Sequence, residues 1–481
     1  MYKHRIETEE LGTQLVAPVE GNTGLQVVFG IAPINMAEDP YSVTNTPVLI
    51  RTFEEAKRRL GYNSNVKDYT LCQSMDASFR LFSIAPVIFV NVLDPEIHKK
   101  AYSKDSIAVS NRTATIPDAG LLIDKMKITA GSTELEINTD YIATFNEQGG
   151  VEITLLSTTK TENVNTLKAT GVQLDPAIIT KEDIIGGNDV SIGKETGLEV
   201  LRQVYPKHGL TPGLILAPGW SKIPEVAAVM AAKTEDINGV FTCEAVIDMD
   251  TEKSKVYTDL KAAKEEMAIS NPNAILLWPK LKANDKIYDY SAAWAAMTAY
   301  TDANNNDVPV KSPSNELLNV SAAVLEDGTE IMIDTVMAED INSNGIVTAI
   351  NDGGWRAWGN NTAAYPETTD TKDRWISCRR MMSWYRNRFI LAYRRKVSNP
   401  ANYRLIESIV DSENIYLNSL SSTGDIAGGS IRFNEDENPI EAILAGQIIF
   451  DTSIAFWTPA EYIKNRIQFD PTILQNALGG A

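Results

Sequence analysis

TPGLILAPGWSKIPEVAAVMAAKTED, residues Thr211–Asp236, reads as a strand and turn followed by a helix, with Pro224 at a first-turn position. The same alternation runs on from it. FTCEAVIDMD (241–250) reads as a strand, YTDLKAAKEEMA (257–268) as a helix, NAILLWPK (273–280) as a strand and SAAWAAMTAYTDA (291–303) as a helix. Strand-helix alternation of this length specifies a parallel sheet with covering helices.

Upstream, LQVVFGIAPI (25–34) reads as a buried strand and TFEEAKRRLGY (52–62) as a short helix. Thr52 is the expected N-cap, Glu55 completes a capping box and Gly61 stops the helix. YTLCQSMDASFRLF (69–82) reads as a second amphipathic helix and Pro86–Val92 as a second buried strand. Composition shifts near Asp94-Pro95. Residues 97–180 are rich in Thr, Ile, Val, Asn and Gly, with strand-like runs separated by turn signals, as in hairpins. Downstream, Thr371–Val397 has the strongest helical pattern, with Trp375, Cys378, Met382, Tyr385, Phe389 and Ala392 in one apolar stripe. PANYRLIESIVDSENIYLNSL is another helix, and three runs near the C-terminus read as strands. No internal repeat is found.

The chain has 481 residues, 43% hydrophobic and 22% charged, which sets an expectation of two to four globular domains. Its net charge of −19 argues against non-specific binding to nucleic acid or anionic membrane. Cys72, Cys243 and Cys378 have no CxxC spacing, and three scattered His offer no zinc set. The first residues lack the apolar core of a signal peptide. The longest nearly apolar run, Leu81–Leu93, is too short to span a bilayer.

Catalytic motifs fail one by one. In GGNDVSIGKET (186–196) the glycine spacing is one residue too long for a phosphate loop, and Glu195 stands where Ser or Thr must hold Mg²⁺. TDANNNDVP (301–309) has the odd spacing of a calcium loop, but Asp307 replaces the turn Gly and Pro313 the final Glu. No GxSxG elbow occurs, and His208 lacks an oriented Ser partner.

Two features invite a role in assembly. Arg374–Lys396 holds seven Arg, one Lys and no acid, a local reversal in an acidic chain that reads as a docking surface for an acidic partner. GGWRAWGNNTAAYP (353–366) packs two Trp and three Gly around a single charge, Arg356. Gly353 and Gly354 permit tight turns, and Trp355 and Trp358 would lock a domain junction by burial; a ligand-stacking loop is the alternative.

In combination, GWSKIPEVAAVMAAK, GGWRAWGNNT, RWISCRRMMSWYRNRFILAYRRKV and PANYRLIESIVDSENIYLN resemble the phage contractile tail sheath family, with sheaths of contractile bacteriocins and injection systems as relatives. GLQVVFGIAPIN, the run from Tyr69 to Pro95 and the C-terminal FDP fit too, so the resemblance covers nearly the whole chain. It implies an α+β multidomain subunit without enzymatic activity, metal or cofactor. Such subunits form stacked six-fold rings around an inner tube and contract to drive that tube through a target envelope. The implied partners are further copies of the chain, a tail tube protein, and baseplate and terminator proteins, with no nucleic acid and no direct membrane insertion. The implied place is a virion tail or contractile particle, assembled in the bacterial host cytoplasm.

The implied layout is an N-terminal arm (1–24), an N-terminal part of an α/β core (25–96), an inserted outer all-β domain (97–182), a subtilisin-like, non-catalytic α/β sheath domain (183–355), the C-terminal part of the core with a tube-facing helix (356–445), and C-terminal strands or arm (446–481). Arms that donate strands to neighbours would carry Tyr2, Ile6, Leu15, Ile448, Phe450, Ile454, Phe456 and Ile467. The tube-binding candidates are Arg379, Arg380, Arg386, Arg388 and Arg394. The rival function is an α/β hydrolase or nucleotide-binding enzyme.

Overall fold

A computed structural model describes residues 19–191 and 193–479. Its centre is an eight-stranded sheet: β1 (Gln26–Gly30), β2 (Pro47–Ile50), β3 (Val87–Asn91), β4 (Leu214–Leu216), β5 (Glu244–Asp248), β6 (Ala274–Leu277), β7 (Ile346–Asn351) and β8 (Trp355–Trp358). The order across the sheet is β8-β7-β6-β5-β4-β1-β3-β2. Neighbours from β7 to β3 pair in parallel, and β8 and β2 close the two edges antiparallel. Strands β1, β3, β4, β5 and β6 are buried along their whole length, as the inner strands of a covered parallel sheet are, with Gln26, Asn91, Glu244 and Asp248 as buried polar residues at their ends.

This sheet corrects the expected layout. The expectation places residues 25–96 in a core shared with the C-terminal segment and 183–355 in a separate domain. β1 instead lies against β4, so both segments build one sheet over one hydrophobic core. Parallel pairing between strands so distant in sequence leaves no local pattern to read.

Helix α1 (Tyr290–Ala303) packs on the sheet and is buried on nearly every side, which its small side chains allow. The incoming N-terminal segment crosses it at Gly21 and Gly24. A Cβ on Gly24 would sit 2.6 Å from the Ala299 Cα, so only glycine fits. Asp307, in the loop read as a failed calcium site, accepts hydrogen bonds from the Asn22 and Thr23 N–H groups at 3.0 and 2.9 Å and clamps that crossing.

Strands between Lys99 and Leu174 form a four-stranded and a three-stranded antiparallel sheet around their own core, which includes Ile116, Ile128, Val151 and Ile153. The Gly353-Gly354 stretch is the turn of the β7–β8 hairpin, with φ of +62° and +132°. Trp355 is buried and donates its indole N–H to the Ser321 carbonyl at 2.9 Å, while Trp358 is half-buried.

The long Arg-rich helix is broken. Trp375 is extended and bridges Asn361, separating a short turn, Thr371–Arg374, from α2 (Ile376–Tyr393). α3 (Tyr403–Thr423) follows, capped by the Asn402 side chain and ended by Gly424 at φ +85°. α2, α3 and the antiparallel pair Gly428–Phe433/Phe450–Ala455 surround a third core of Val308, Met381, Tyr385, Leu417, Leu420 and Ile426.

At the carboxyl end of β5, Asp248 is buried and accepts hydrogen bonds from the Ser221 hydroxyl at 3.0 Å and from the Ser291 N–H at 2.8 Å. Burial, helped by nearby Asp289, pushes its carboxyl up to about 7. Between its unfolded value near 4 and that pKa, the unfolded chain releases a proton that the folded chain keeps. Stability should therefore fall as pH rises from about 4 to 7 and then level off. In Asp248→Asn this decline is expected to shrink, read from denaturation midpoints across that range.

Candidate subunit-interaction site

The N-terminal half of α2 is embedded instead of lying on the surface. Ile376–Met381 is buried throughout, and the expected stripe breaks down because Ala392 is exposed and Arg379 and Arg380 are buried. Arg380 forms a two-pronged ion pair with Asp302 at the end of α1, with one arm at 3.1 Å. Both side chains are nearly inaccessible, at 2% and 1% exposed. Burial pushes the Asp302 carboxyl up against the pull of Arg380. Seven residues on, Asn387 takes the Thr242 N–H at 3.0 Å and donates to the Thr242 carbonyl at 2.7 Å, completing the open end of β5's lead-in. Two polar clamps thus tie α2 to the α/β body.

These contacts correct three of the five tube-binding candidates. Arg379 is buried and pairs with Asp373 at 3.2 Å. Arg380 is committed to Asp302. Arg388 grips both carboxylate oxygens of fully buried Glu413 and stacks over Tyr416 at 3.5 Å. Arg379 and Arg380 are thus sealed inside the subunit, and Arg388 is turned inward onto its own chain's acid. Arg386 and Arg394 are exposed, and so is Arg395, which the candidate set omitted. Arg394 lies over the Tyr205 ring at 5.0 Å.

The arm residues also divide. Tyr2, Ile6 and Leu15 lie outside the described residues. Phe450 and Ile454 pair within the chain, opposite Phe433 and Gly429, and Phe456 packs on the third core. Ile448 is half-buried just before that strand. Their strand propensity is satisfied at home because the Gly428–Phe433 partner is only a short connection away. Ile467 differs: it is 88% exposed. From Ala460 to Asp470 the chain has no regular structure, although AEYIKNRIQFDP was expected to form a strand. Arg374–Glu461 at 3.2 Å and the Trp457 indole bond to the Gly424 carbonyl at 2.9 Å hold the root of this tail. Beyond it, Tyr462, Ile463, Ile467 and Phe469 are each at least 77% exposed.

Among the described residues, the Gly428–Phe433/Phe450–Ala455 pair has one blocked edge and one open edge. The Asn414 side chain binds both the N–H and the C=O of Ile431, at 3.0 and 2.9 Å, covering the outer edge of the first strand. Ile431 is thus a non-hydrogen-bonded position, and so is Thr452 opposite it. By alternation, the main-chain groups of Phe450, Thr452 and Ile454 point outward along the free edge of the second strand.

Among the described residues lining the crevice where α/β folds bind ligands, at the carboxyl ends of β1 and β4 where strand order reverses, no nucleophile–base hydrogen bond is seen. Lys280 there bridges Asp289 and Glu326 at 2.8 Å each. His208 lies against the Pro47 carbonyl at 3.0 Å instead. Among the described residues no cluster of His, Cys, Asp and Glu could hold a metal, and no helix is long and apolar enough to cross a membrane.

No family model matches the chain. The tail sheath protein of Burkholderia phage BcepMu is 25% identical over 495 aligned residues, covering 100% of this chain and 99% of that protein. A chain of the anti-feeding prophage baseplate shares the fold at TM-score 0.60 and 15% identity, over 97% of this chain and 98% of that one. The PVC extracellular contractile injection system, in its contracted sheath complex, gives 0.55 and 17% over 98% and 99%. The fold is thus a mixed α/β, multi-sheet one shared with chains of contractile assemblies. Over its whole length the chain is thus similar in sequence to a phage tail sheath protein.

Removing one partner of the α2 clamp should expose its weight. Arg380→Met leaves Asp302 buried without a counter-charge and should cost about 3–5 kcal/mol, whereas Arg380→Met with Asp302→Leu should recover most of that loss. Denaturant unfolding of the wild type and these two variants measures both the loss and the recovery.

Proposed function

We propose that the chain is the structural subunit of a contractile tail sheath, polymerising as stacked hexameric rings around an inner tube and shortening to drive the tube through a target envelope. The observation that carries this reading is the unpartnered tail beside an open strand edge, in a chain similar over its whole length to a tail sheath protein. Ile463, Asn465, Ile467 and Phe469 alternate with Lys464, Arg466 and Gln468, the pattern of a strand with one mainly apolar face interrupted by Asn465. Donated to the Phe450–Ala455 edge of a neighbouring copy, that strand would satisfy outward main-chain groups that its own chain leaves open. The expected N-terminal arm, through Tyr2, Ile6 and Leu15, would add a second link.

In this reading the strands of 97–182 form an outer domain. The eight-stranded sheet is the subtilisin-like scaffold, non-catalytic because its buried Asp248 is spent on serines. The tube is an acidic partner met by Arg386, Arg394 and Arg395. Exposed ion pairs contribute about 0.2–1 kcal/mol each, so such a contact holds the tube yet gives way when sheath subunits rearrange. Baseplate and terminator proteins would cap the polymer, and the particle would assemble in a bacterial host cytoplasm.

Two experiments test this. Ile463→Ser, Ile467→Ser and Phe469→Ser together alter only exposed side chains, so the subunit's unfolding should move by no more than about 0.5 kcal/mol. Sedimentation should then show polymer lost and monomer kept; polymer at wild-type levels would refute the strand-donor role. Arg386→Glu, Arg394→Glu and Arg395→Glu together should give sheaths that copurify without tube, and tube-filled particles would refute that surface.

A further inference from the structure

The open edge of the Phe450–Ala455 strand can take a donated strand in either direction, and the groups at its two ends tell the directions apart. Phe450, Thr452 and Ile454 share one face by alternation, and Ile454 packs on the third core. Asp451 and Ser453 lie on the other face, where Asp451 and Arg432 pair at 3.5 Å and offset each other. A strand added to the edge keeps this pleat. Ile463, Asn465, Ile467 and Phe469 would then extend the core face, and Lys464 and Arg466 the outer one.

The Phe450 end of the edge is acidic. Residues 434–447, which join the two strands, hold Glu435, Asp436, Glu437 and Glu441 and no base. The buried Asn438 side chain pins this connection beside the strand. It donates to the Asn434 and Ile449 carbonyls at 2.8 and 2.9 Å and accepts from the Ile449 N–H at 2.7 Å. The four acids are exposed, and among the described residues none has an ion-pair partner. Ile440 and Leu444 share one side of a single helical turn there and are 61% and 80% exposed. At the other end the Ala455 carbonyl accepts from the Ala427 N–H, and the acid nearby in the chain, Asp425, is taken by the Thr423 hydroxyl.

The tail has the complementary charge. Tyr462–Phe469 carries Lys464 and Arg466 and no acid, and neither base is ion-paired among the described residues. Both bases lie toward its start, and Asp470 follows its end. We propose that the donated strand runs parallel to Phe450–Ala455 of the receiving copy, with Lys464 and Arg466 toward the Glu435–Glu441 connection and Tyr462 and Ile463 over Ile440 and Leu444. This direction presupposes the strand-donor reading. The reverse direction would carry Asp470 to the four acids, and like charges so placed oppose it. Parallel pairing is slightly the weaker per residue, so the charges and the apolar pair are what select it.

Charge reversal and cross-linking in the polymer of the full chain test the direction. Lys464→Glu with Arg466→Glu should cut sedimentable polymer roughly tenfold and leave the monomer folded, since both side chains are exposed. Glu437→Lys with Glu441→Lys should do the same, and the four changes together should restore the polymer. Wild-type polymer from either double variant, or no recovery in the fourfold one, would overturn the contact. The chain's own three cysteines are buried, so engineered pairs report cleanly. Glu437→Cys with Lys464→Cys should give a ladder of disulfide-linked chains on mild oxidation, and Glu437→Cys with Gln468→Cys should give none. The opposite pattern would overturn the parallel direction. Failure of strand donation itself would show separately, as polymer kept when Ile463, Ile467 and Phe469 are all changed to Ser.

Discussion

The Arg380–Asp302 ion pair is the constraint on which the arrangement of this chain depends. It joins the C-terminal helices to the α/β body across 78 residues of sequence, and both charges are sealed from solvent. A buried pair adds little net stability but makes any other docking of the two parts expensive, because parting the charges strands both. Asn387 on Thr242 adds a second, directional tie that sets the height of α2 over the sheet. With α2 fixed, Arg386, Arg394 and Arg395 are turned outward, and the strand pair that follows α3 is presented with one edge blocked and one open.

A chain so well anchored in its body ends in a segment that is not anchored. The third core closes at Phe456, and Ile463, Ile467 and Phe469 find no cover among the described residues of their own subunit. Strand addition through about five main-chain bonds, at about 1 kcal/mol net each, would yield about 5 kcal/mol. That only meets the low end of an association cost of about 4–15 kcal/mol. One such link cannot hold a pair of subunits, whereas a lattice in which each copy gives and receives can. Links made of main chain on slender connectors also let subunits rotate without parting, which a shortening lattice requires.

The sequence made the alternation of strands and helices from Thr211 to Ala303 legible because local periodicity encodes it. It left the sheet order hidden, since β1 and β4 meet through nearly two hundred intervening residues. The burial of Arg379 and Arg380 was illegible for a related reason. A row of arginines shows charge but not the acids that will meet it, and Asp302, at the end of α1, belongs to a stretch that reads as a failed calcium loop. Phe450 and Ile454 show the converse: their strand pattern was plain, but the pattern alone does not say whether the partner strand is in the same chain. At Ile463–Phe469 the alternation predicted a strand that one chain leaves unformed, and that discrepancy is what points outward to a second copy.

The most direct measurement is a cryo-electron microscopy map of the polymer grown from the purified chain. The account predicts hollow, ringed tubes in which residues 463–469 of each subunit lie as a strand along the Phe450–Ala455 edge of a neighbour. Tubes in which that segment folds back on its own subunit, or in which the Phe450–Ala455 edge stays unpaired, would contradict it.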